Sequence, residues 1–338
     1  MNCLIIKVAY STERDCVTML RLTRQAVTDL CHLVADDIEP LANHPHALPV
    51  AVKVTAALYF YAGGTFQNPI VGLGGISQPA ISTAIKAVTA SIVRHASRYI
   101  PGIPVTPERQ RRVKRDFMAL YGFPGVLGAV DCTHLQLRAP ALHSGAYVNR
   151  KGTHSINVQV ICDASQYILN VFANYPGGSH DAFIMEQSVI PAVFERDPPP
   201  NGWLLGDNGY PLNTWCIVPY ITPTTVREFS FNRRHSRARV VIERTFGVLK
   251  QRFRCLDKSG GVLSYTPQKV ASFCVACCVL HNIAKRHRMV MPRISEARLR
   301  RLRELQAELE MPNPNANIAP AAAARILRDR LAEELQHH

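Results

Sequence analysis

A mixed α/β domain preceded by an all-α segment is the fold class this sequence predicts, and three observations predict it. Residues 17–98 carry their apolar side chains at helical spacing. A turn-rich stretch, PGIPVTP at 101–107, then changes the character of the chain. From 124 onward, short β-branched runs alternate with helical ones, the pattern of a mixed sheet flanked by helices.

Taken in order, the first helix is read over 17–38, where Leu20, Thr23, Val27, Leu30, Val34 and Ile38 recur at helical spacing. LANHPHALP interrupts it with Pro45 and Pro49. A second helix follows in VAVKVTAALYFYA and stops at Gly63–Gly64. A third starts near GISQPAISTAIKAVTASIVRHA, with Ser77 as candidate N-cap and Ile81, Ile85 and Val88 as an apolar stripe. Strands are expected at 125–131, 133–140, 154–164, 167–177 and 203–207, and helices at 181–195 and 237–256. QKVASFCVACCVLHNIAKRH (268–287) reads as a buried closing helix. The tail from 292 alternates a basic helix with a Pro/Asn/Ala stretch and a short charged helix. This gives a helical domain over 1–100, a linker over 101–111, a second domain over 112–287 and a basic helical tail over 288–338. No internal repeat is visible.

Composition narrows the function classes. Of 338 residues 47% are apolar and 19% charged, enough to bury a core and to exclude wholesale disorder. Lys and Arg number 39 against 25 Asp and Glu, a formal net charge of +14 that favours polyanionic partners, nucleic acid first among them. No apolar run reaches the ~18 residues of a membrane span, and the N-terminus lacks the features of a secretory signal. Ten cysteines therefore read as reduced thiols of an intracellular protein. Cys274, Cys277, Cys278 and His281 mimic a zinc cluster, but they repeat on one apolar helix without a second ligand pair, so core packing is the expected role. The glycine pairs 63–64 and 74–75 lack the Lys-Ser/Thr of a phosphate loop.

Four acids stand out by context. Asp131 is expected to end the apolar strand VLGAVD, and Asp207 to end WLLGD before a turn. Asp181 opens a helix after PGGSH, and Glu243 sits inside the apolar stretch VVIERTFGVL. Such acids can converge from strand ends and a facing helix, and their mutual repulsion suits hard divalent cations such as Mg²⁺ or Mn²⁺. Two ions so held activate a water and stabilise the leaving oxygen of a phosphodiester. Each acid also has a plainer reading: a helix N-terminal charge for Asp181, a turn residue for Asp207, and an ion pair with Arg239 or Arg244 for Glu243. His134, His154 and His180 are read as satisfying neighbouring polar groups.

The segments GVLGAVDCTHLQLRAP, YVNRKGTHSINVQVICD, YPGGSHDAFIMEQS, WLLGDNGYPL, VVIERTFGVLKQRFRCLD and ACCVLHNI together resemble the harbinger transposase-derived nucleases, domesticated relatives of PIF/Harbinger transposases. The resemblance runs from about 70 to 300. It implies an RNase H-like fold and a metal-dependent DNA endonuclease of the DDE type, with Asp131, Asp207 and Glu243 as its catalytic acids. Asp181 matches a further acid often counted among the metal ligands. It also implies a nuclear and cytoplasmic protein with a Myb-like partner for import and DNA targeting. The first fifteen or so residues match nothing expected of the family.

The basic residues agree with a DNA substrate. Ten Lys and Arg lie between 225 and 260 against three acids. Of these Arg237, Arg239, Lys250, Arg252 and Arg254 are expected to border the acids and hold the scissile strand by its phosphates. The segment FYAGGTFQNPIVGLGGISQPAISTAIKAV resembles a helix-turn-helix, whose second helix would present Ser77, Gln78, Ser82 and Lys86 to base edges. RQRRVKR (109–115) reads equally as a nuclear import signal or as one face of a helix. Two rivals stand beside the endonuclease: a catalytically silent DNA-binding scaffold, and an RNA-directed nuclease of the same fold.

Overall fold

The computed structural model describes residues 12–39, 47–64, 76–257, 260–289, 294–309 and 320–336. The first eleven residues, Pro45, the glycine pair 74–75, Lys258 and the Pro/Asn/Ala stretch lie outside them. The chain folds as two units. One comprises Met1–Ile100, Leu135–Pro140 and Val248–Arg293, the other Pro101–His134, Ala141–Gly247 and Ile294–His338. The sequence reading keeps 112–287 together and sets the tail apart. The contacts instead group 248–293 with the N-terminal helices, and 294–338 with the sheet.

In the first unit, α1 is Arg24–Ile38, α2 is Val50–Gly63 and α3 is Gln78–Arg94. The single helix expected over 17–38 is broken. Cys16–Leu20 forms a π-helical turn, Arg21 adopts φ +62°, and α1 restarts where the Thr23 hydroxyl accepts the Ala26 N–H. Thr23 is thus a cap and not part of the apolar stripe. Ile81, Ile85 and Val88 are buried as their spacing predicts. Asp37 on α1 accepts from Ser91 and Arg94 of α3 and pairs with His95 just beyond it. The closing helix α8 (Pro267–Arg286) packs Phe273 edge-on against Phe60 of α2, with ring centroids 5.2 Å apart. Cys274, Cys277 and Cys278 are buried on α8 as small apolar side chains, and His281 with them.

In the second unit α4 (Pro107–Tyr121) is capped by Thr106 and buries Gln110, Val113 and Phe117, which leaves Arg111, Arg112 and Arg115 exposed. A five-stranded sheet follows, in the order β3-β2-β1-β4-β5. Its strands are β1 (Val126–Gln136), β2 (Ser155–Cys162), β3 (Ile168–Pro176), β4 (Trp203–Leu205) and β5 (Cys216–Ile217). β2 and β3 pair antiparallel, whereas β1–β4 and β4–β5 pair parallel, so the sheet is mixed. The runs at 125–131 and 133–140 are one continuous strand. The helix expected over 181–195 is two short ones, α5 (Asp181–Glu186) and α6 (Ile190–Phe194), separated at Gln187–Val189. The two-residue β5 is too short for alternation to reveal it.

The long helix α7 (Val226–Arg252) lies along the sheet. His235 bonds the Ile217 carbonyl of β5 at 3.0 Å, Arg239 reaches Asp131 of β1, and Thr245 reaches Cys162 of β2. The described C-terminal helices are α9 (Glu296–Leu309) and α10 (Ala322–Glu334).

His235 sits between Phe123 and Phe231, and its burial lowers the imidazole pKa to about 3, with Arg239 and Arg328 adding to the shift. The folded state therefore keeps the ring neutral while the unfolded chain protonates near 6.5, so stability present above pH 6.5 is lost as pH falls toward 3. Between pH 7 and 5 this one group should remove about 2 kcal/mol. A His235→Gln variant, measured by denaturant unfolding at both pH values, should lose correspondingly less. An unchanged pH slope would mean that the imidazole is protonated in the fold.

Candidate active site and nucleic-acid interface

Asp131 lies within β1 and not at its end: the strand runs on to Gln136, and the carboxylate is buried at 5% exposure. Its Oδ1 accepts the Cys132 N–H at 2.8 Å, and its Oδ2 accepts from Arg239 at 3.0 Å. Asp181 is the first residue of α5. The turn before it needs glycine, since a Cβ at Gly177 would stand 2.2 Å from Ser155 Oγ and one at Gly178 2.8 Å from the Ala146 carbonyl. That close approach sets Asp181 Oδ1 2.9 Å from the Asn157 amide of β2, which donates to it. Asp207 follows β4 by two residues, and its Oδ1 accepts the Gly209 N–H at 2.9 Å. A Cβ on Gly209 would lie 3.0 Å from Asp207 Oδ1 and 3.8 Å from Asp181 Oδ2, so the two carboxylates border one small space.

Glu243 is one helical turn after Arg239, on the same face of α7, and accepts from that guanidinium at 2.8 Å. Arg239 thus bridges Asp131 and Glu243: its pair with Glu243 is the plainer reading offered by the sequence, and its contact with Asp131 was not foreseen. Burial alone would lower the arginine's pKa; Asp131, Asp207 and Glu243 outweigh it and raise the pKa. Asp181 is 7% exposed. Burial first, then Asp207 and Asp131, push its carboxyl up to about 7, against the opposing bonds from Asn157 and Cys132. It lies deep in the cluster and is not a solvent-facing helix N-terminal charge.

The donor set is oxygen-only and mutually repelling, which is the chemistry a hard divalent cation satisfies. As placed, Arg239 takes that neutralising role on one side. Among the described residues no group of three or more His, Cys, Asp or Glu is gathered into a ligand set. Glu243 has a second cationic partner in Arg303 of α9, while Gln306 donates to the Cys132 carbonyl at 2.9 Å. Asn157, Tyr210, Arg303 and Gln306 are the neighbours that sequence reasoning missed. Tyr210 is buried with its hydroxyl 3.3 Å from Cys132 Sγ. Only Asn157 left a signal, as a polar residue inside the apolar run SINVQVIC. His134 and His154 pair with Ser155 and Ser144, as ordinary polar neighbours do.

The basic set needs correction. Arg252 is 1% exposed, and burial lowers its pKa to about 10, so it is a core residue and not a phosphate contact. Arg239 is committed to the acids. Lys250 is half-buried, and burial lowers its pKa also. Arg237 and Arg254 are exposed. The cluster is also divided, with Arg237 and Arg239 in the sheet-bearing unit and Lys250, Arg252 and Arg254 in the other. On α3, Ser77, Gln78, Ser82 and Lys86 are all exposed, opposite the buried stripe. No described helix is long and apolar enough to cross a membrane.

A mixed sheet with one acid inside a strand, one just past a strand, one at a helix N-terminus and one on a long crossing helix defines an α/β protein with a clustered acid site. Residues 130–282 match the DDE superfamily endonuclease family. The chain is 38% identical over 278 residues to the rat protein named "Putative nuclease HARBI1", covering 82% of this chain and 79% of that one. The Xenopus laevis protein of the same name is 35% identical over 276 residues, with the same coverage. An Arabidopsis "Protein ALP1-like" is 25% identical over 287 residues, 79% of this chain and 69% of its own. The chain belongs to the harbinger transposase-derived nuclease family. No solved structure matches it.

If Arg303 competes with cations for Glu243, Arg303→Ala should tighten Mn²⁺ binding about two- to fivefold in calorimetric titration, the scale of a partly exposed ion pair. Arg301→Ala removes an exposed pair with Glu304 on the same helix and should leave the affinity unchanged. Equal affinities in both variants would remove Arg303 from the site.

Proposed function

We propose that this protein is a metal-dependent DNA endonuclease that hydrolyses phosphodiester bonds, on an RNase H-like domain with Asp131, Asp207 and Glu243 as catalytic acids and Asp181 as a further metal ligand. The observation that carries the reading is the acid constellation itself. Asp181 and Asp207 share the space beside Gly209, Asp131 raises the Asp181 pKa, and Glu243 is joined to Asp131 through one guanidinium. Mg²⁺ or Mn²⁺, two ions in the two-metal arrangement, would supply Lewis acidity and a water of lowered pKa.

The chain's own groups do the rest. Asn157 orients Asp181 by its amide, and Gly209 N–H orients Asp207. Buried Tyr210 and Cys132 keep water from the inner side of the acids. Arg239 holds Asp131 and Glu243 together against their repulsion. Arg237 and Arg254 are the exposed cations of the basic set for backbone contacts.

The helices α2 and α3 are assigned to sequence preference as a helix-turn-helix-type element, with Ser77, Gln78, Ser82 and Lys86 toward the bases. The exposed basic face of α4 supports nuclear import, with a cytoplasmic pool and a Myb-like partner as the family resemblance implies. A silent DNA-binding scaffold is the competing reading, favoured by the arginines already paired with Asp131 and Glu243.

Nicking of supercoiled DNA with Mg²⁺ or Mn²⁺ separates the two. The wild-type protein should nick, and Asp131→Ala or Asp207→Ala should abolish cutting while DNA binding persists. DNA binding without metal-dependent nicking would leave the scaffold. Gln78→Ala should cost about 1–3 kcal/mol at a preferred site, if Gln78 makes a bidentate base contact, and should leave Mn²⁺ affinity unchanged. An unaltered preference would reduce α3 to a packing helix.

A further inference from the structure

Beside the acids, the sheet-bearing unit contains a cavity of about 510 Å³, within the ~300–1,000 Å³ range of small-molecule sites. Its wall includes the residues next to both inner acids: Ala182 follows Asp181, and Asn208 follows Asp207. Ala321, just before α10, and Arg325 and Arg328 on α10 also line it. The cavity is therefore lined by the same two segments that carry the inner acids, and by Tyr210, which lies beside Cys132.

Its chemistry is that of a nucleotide site. Arg328 stacks over the Tyr220 ring with its guanidinium carbon 3.9 Å from the centroid, and donates to the Pro219 carbonyl at 3.3 Å. The Tyr220 hydroxyl is fixed by Asp329 at 2.6 Å. A guanidinium plane pinned on an aromatic ring is a flat surface of the kind on which unstacked bases lie. Leu212 and Val218 make the wall apolar, Asn208 and Asn213 add neutral hydrogen-bonding groups, and Glu186 is its one acid. Arg325 is exposed and has no ion-pair partner among the described residues, so its charge is available to a phosphate.

The geometry points to a subsite for one unstacked nucleotide of the DNA strand adjoining the scissile phosphate, with its base against Arg328–Tyr220 and its phosphate on Arg325. This rests on the endonuclease reading and deepens it, since a base held out of the stack fixes the register of the strand over the acids.

The test uses the full chain and short single-stranded oligodeoxynucleotides carrying 2-aminopurine at successive positions, in EDTA so that no cutting occurs. One position should change in fluorescence on binding. Ala321→Trp, which fills the cavity mouth from an exposed position, should abolish that change and weaken binding about tenfold, the scale of one lost base stack. Arg325→Glu should weaken binding comparably, and a thermal melt of each variant checks folding. Wild-type binding in which no 2-aminopurine responds, or wild-type affinity retained by both variants, overturns the subsite alone. A wild-type protein that binds no DNA overturns the endonuclease reading with it.

Discussion

The acid site is organised by one guanidinium. Asp131 and Glu243 are both nearly shielded from water, at 7% and 10% side-chain exposure, and two such carboxylates side by side repel strongly in a low-dielectric setting. Arg239 is placed by α7 to contact both, and its pKa is raised by those two and by Asp207 together. Loss of one partner of a buried charge pair typically costs about 3–5 kcal/mol, because the remaining charge stays desolvated. The register of α7 against β1 is thereby tied to the same contact that assembles the site.

That register explains how residues far apart in sequence meet. His235, Arg239 and Thr245 lie along one side of α7 and touch β5, β1 and β2 in turn. Glu243 comes to Asp131 because i and i+4 share a helix face, so the pair Arg239–Glu243 is set before any tertiary contact forms. Asp181 and Asp207 arrive by another route, through glycine turns that let backbone approach backbone. No arginine is bonded between them, so burial first, and then the charges of Asp207 and Asp131, raise the pKa of Asp181.

Much of this was legible in the sequence, and the misses have physical causes. The apolar stripe of α3, the end of α2 at Gly63 and the four acids follow from period and context. Asp131 was misplaced at a strand end because a carboxylate inside a strand violates the alternation rule, and the bonds from Arg239 and the Cys132 N–H make it tolerable. Arg252 was read as a phosphate contact because a basic run looks solvent-facing, whereas the end of α7 turns it into a helical core. Period also misread Thr23, since a hydroxyl at stripe spacing served the helix as a cap.

The C-terminal segment, which composition marks as an appendage, is part of the sheet-bearing unit, and magnitudes say what holds it there. Its polar links, among them Arg244–Glu296 and Lys151–Glu308, are partly exposed ion pairs worth about 0–1 kcal/mol each. Leu299, Leu331 and Leu335 are buried to 4% exposure or less, and burying each such side chain contributes about 1.5–3 kcal/mol. The apolar anchors therefore decide the docking, and the ionic contacts add little to it. It follows that Arg303 can exchange Glu243 for another partner while α9 stays seated on Leu299. The carboxylate that the long helix brings to the site thus keeps its buried partner Arg239, while its second partner is weakly enough held for a cation to replace it.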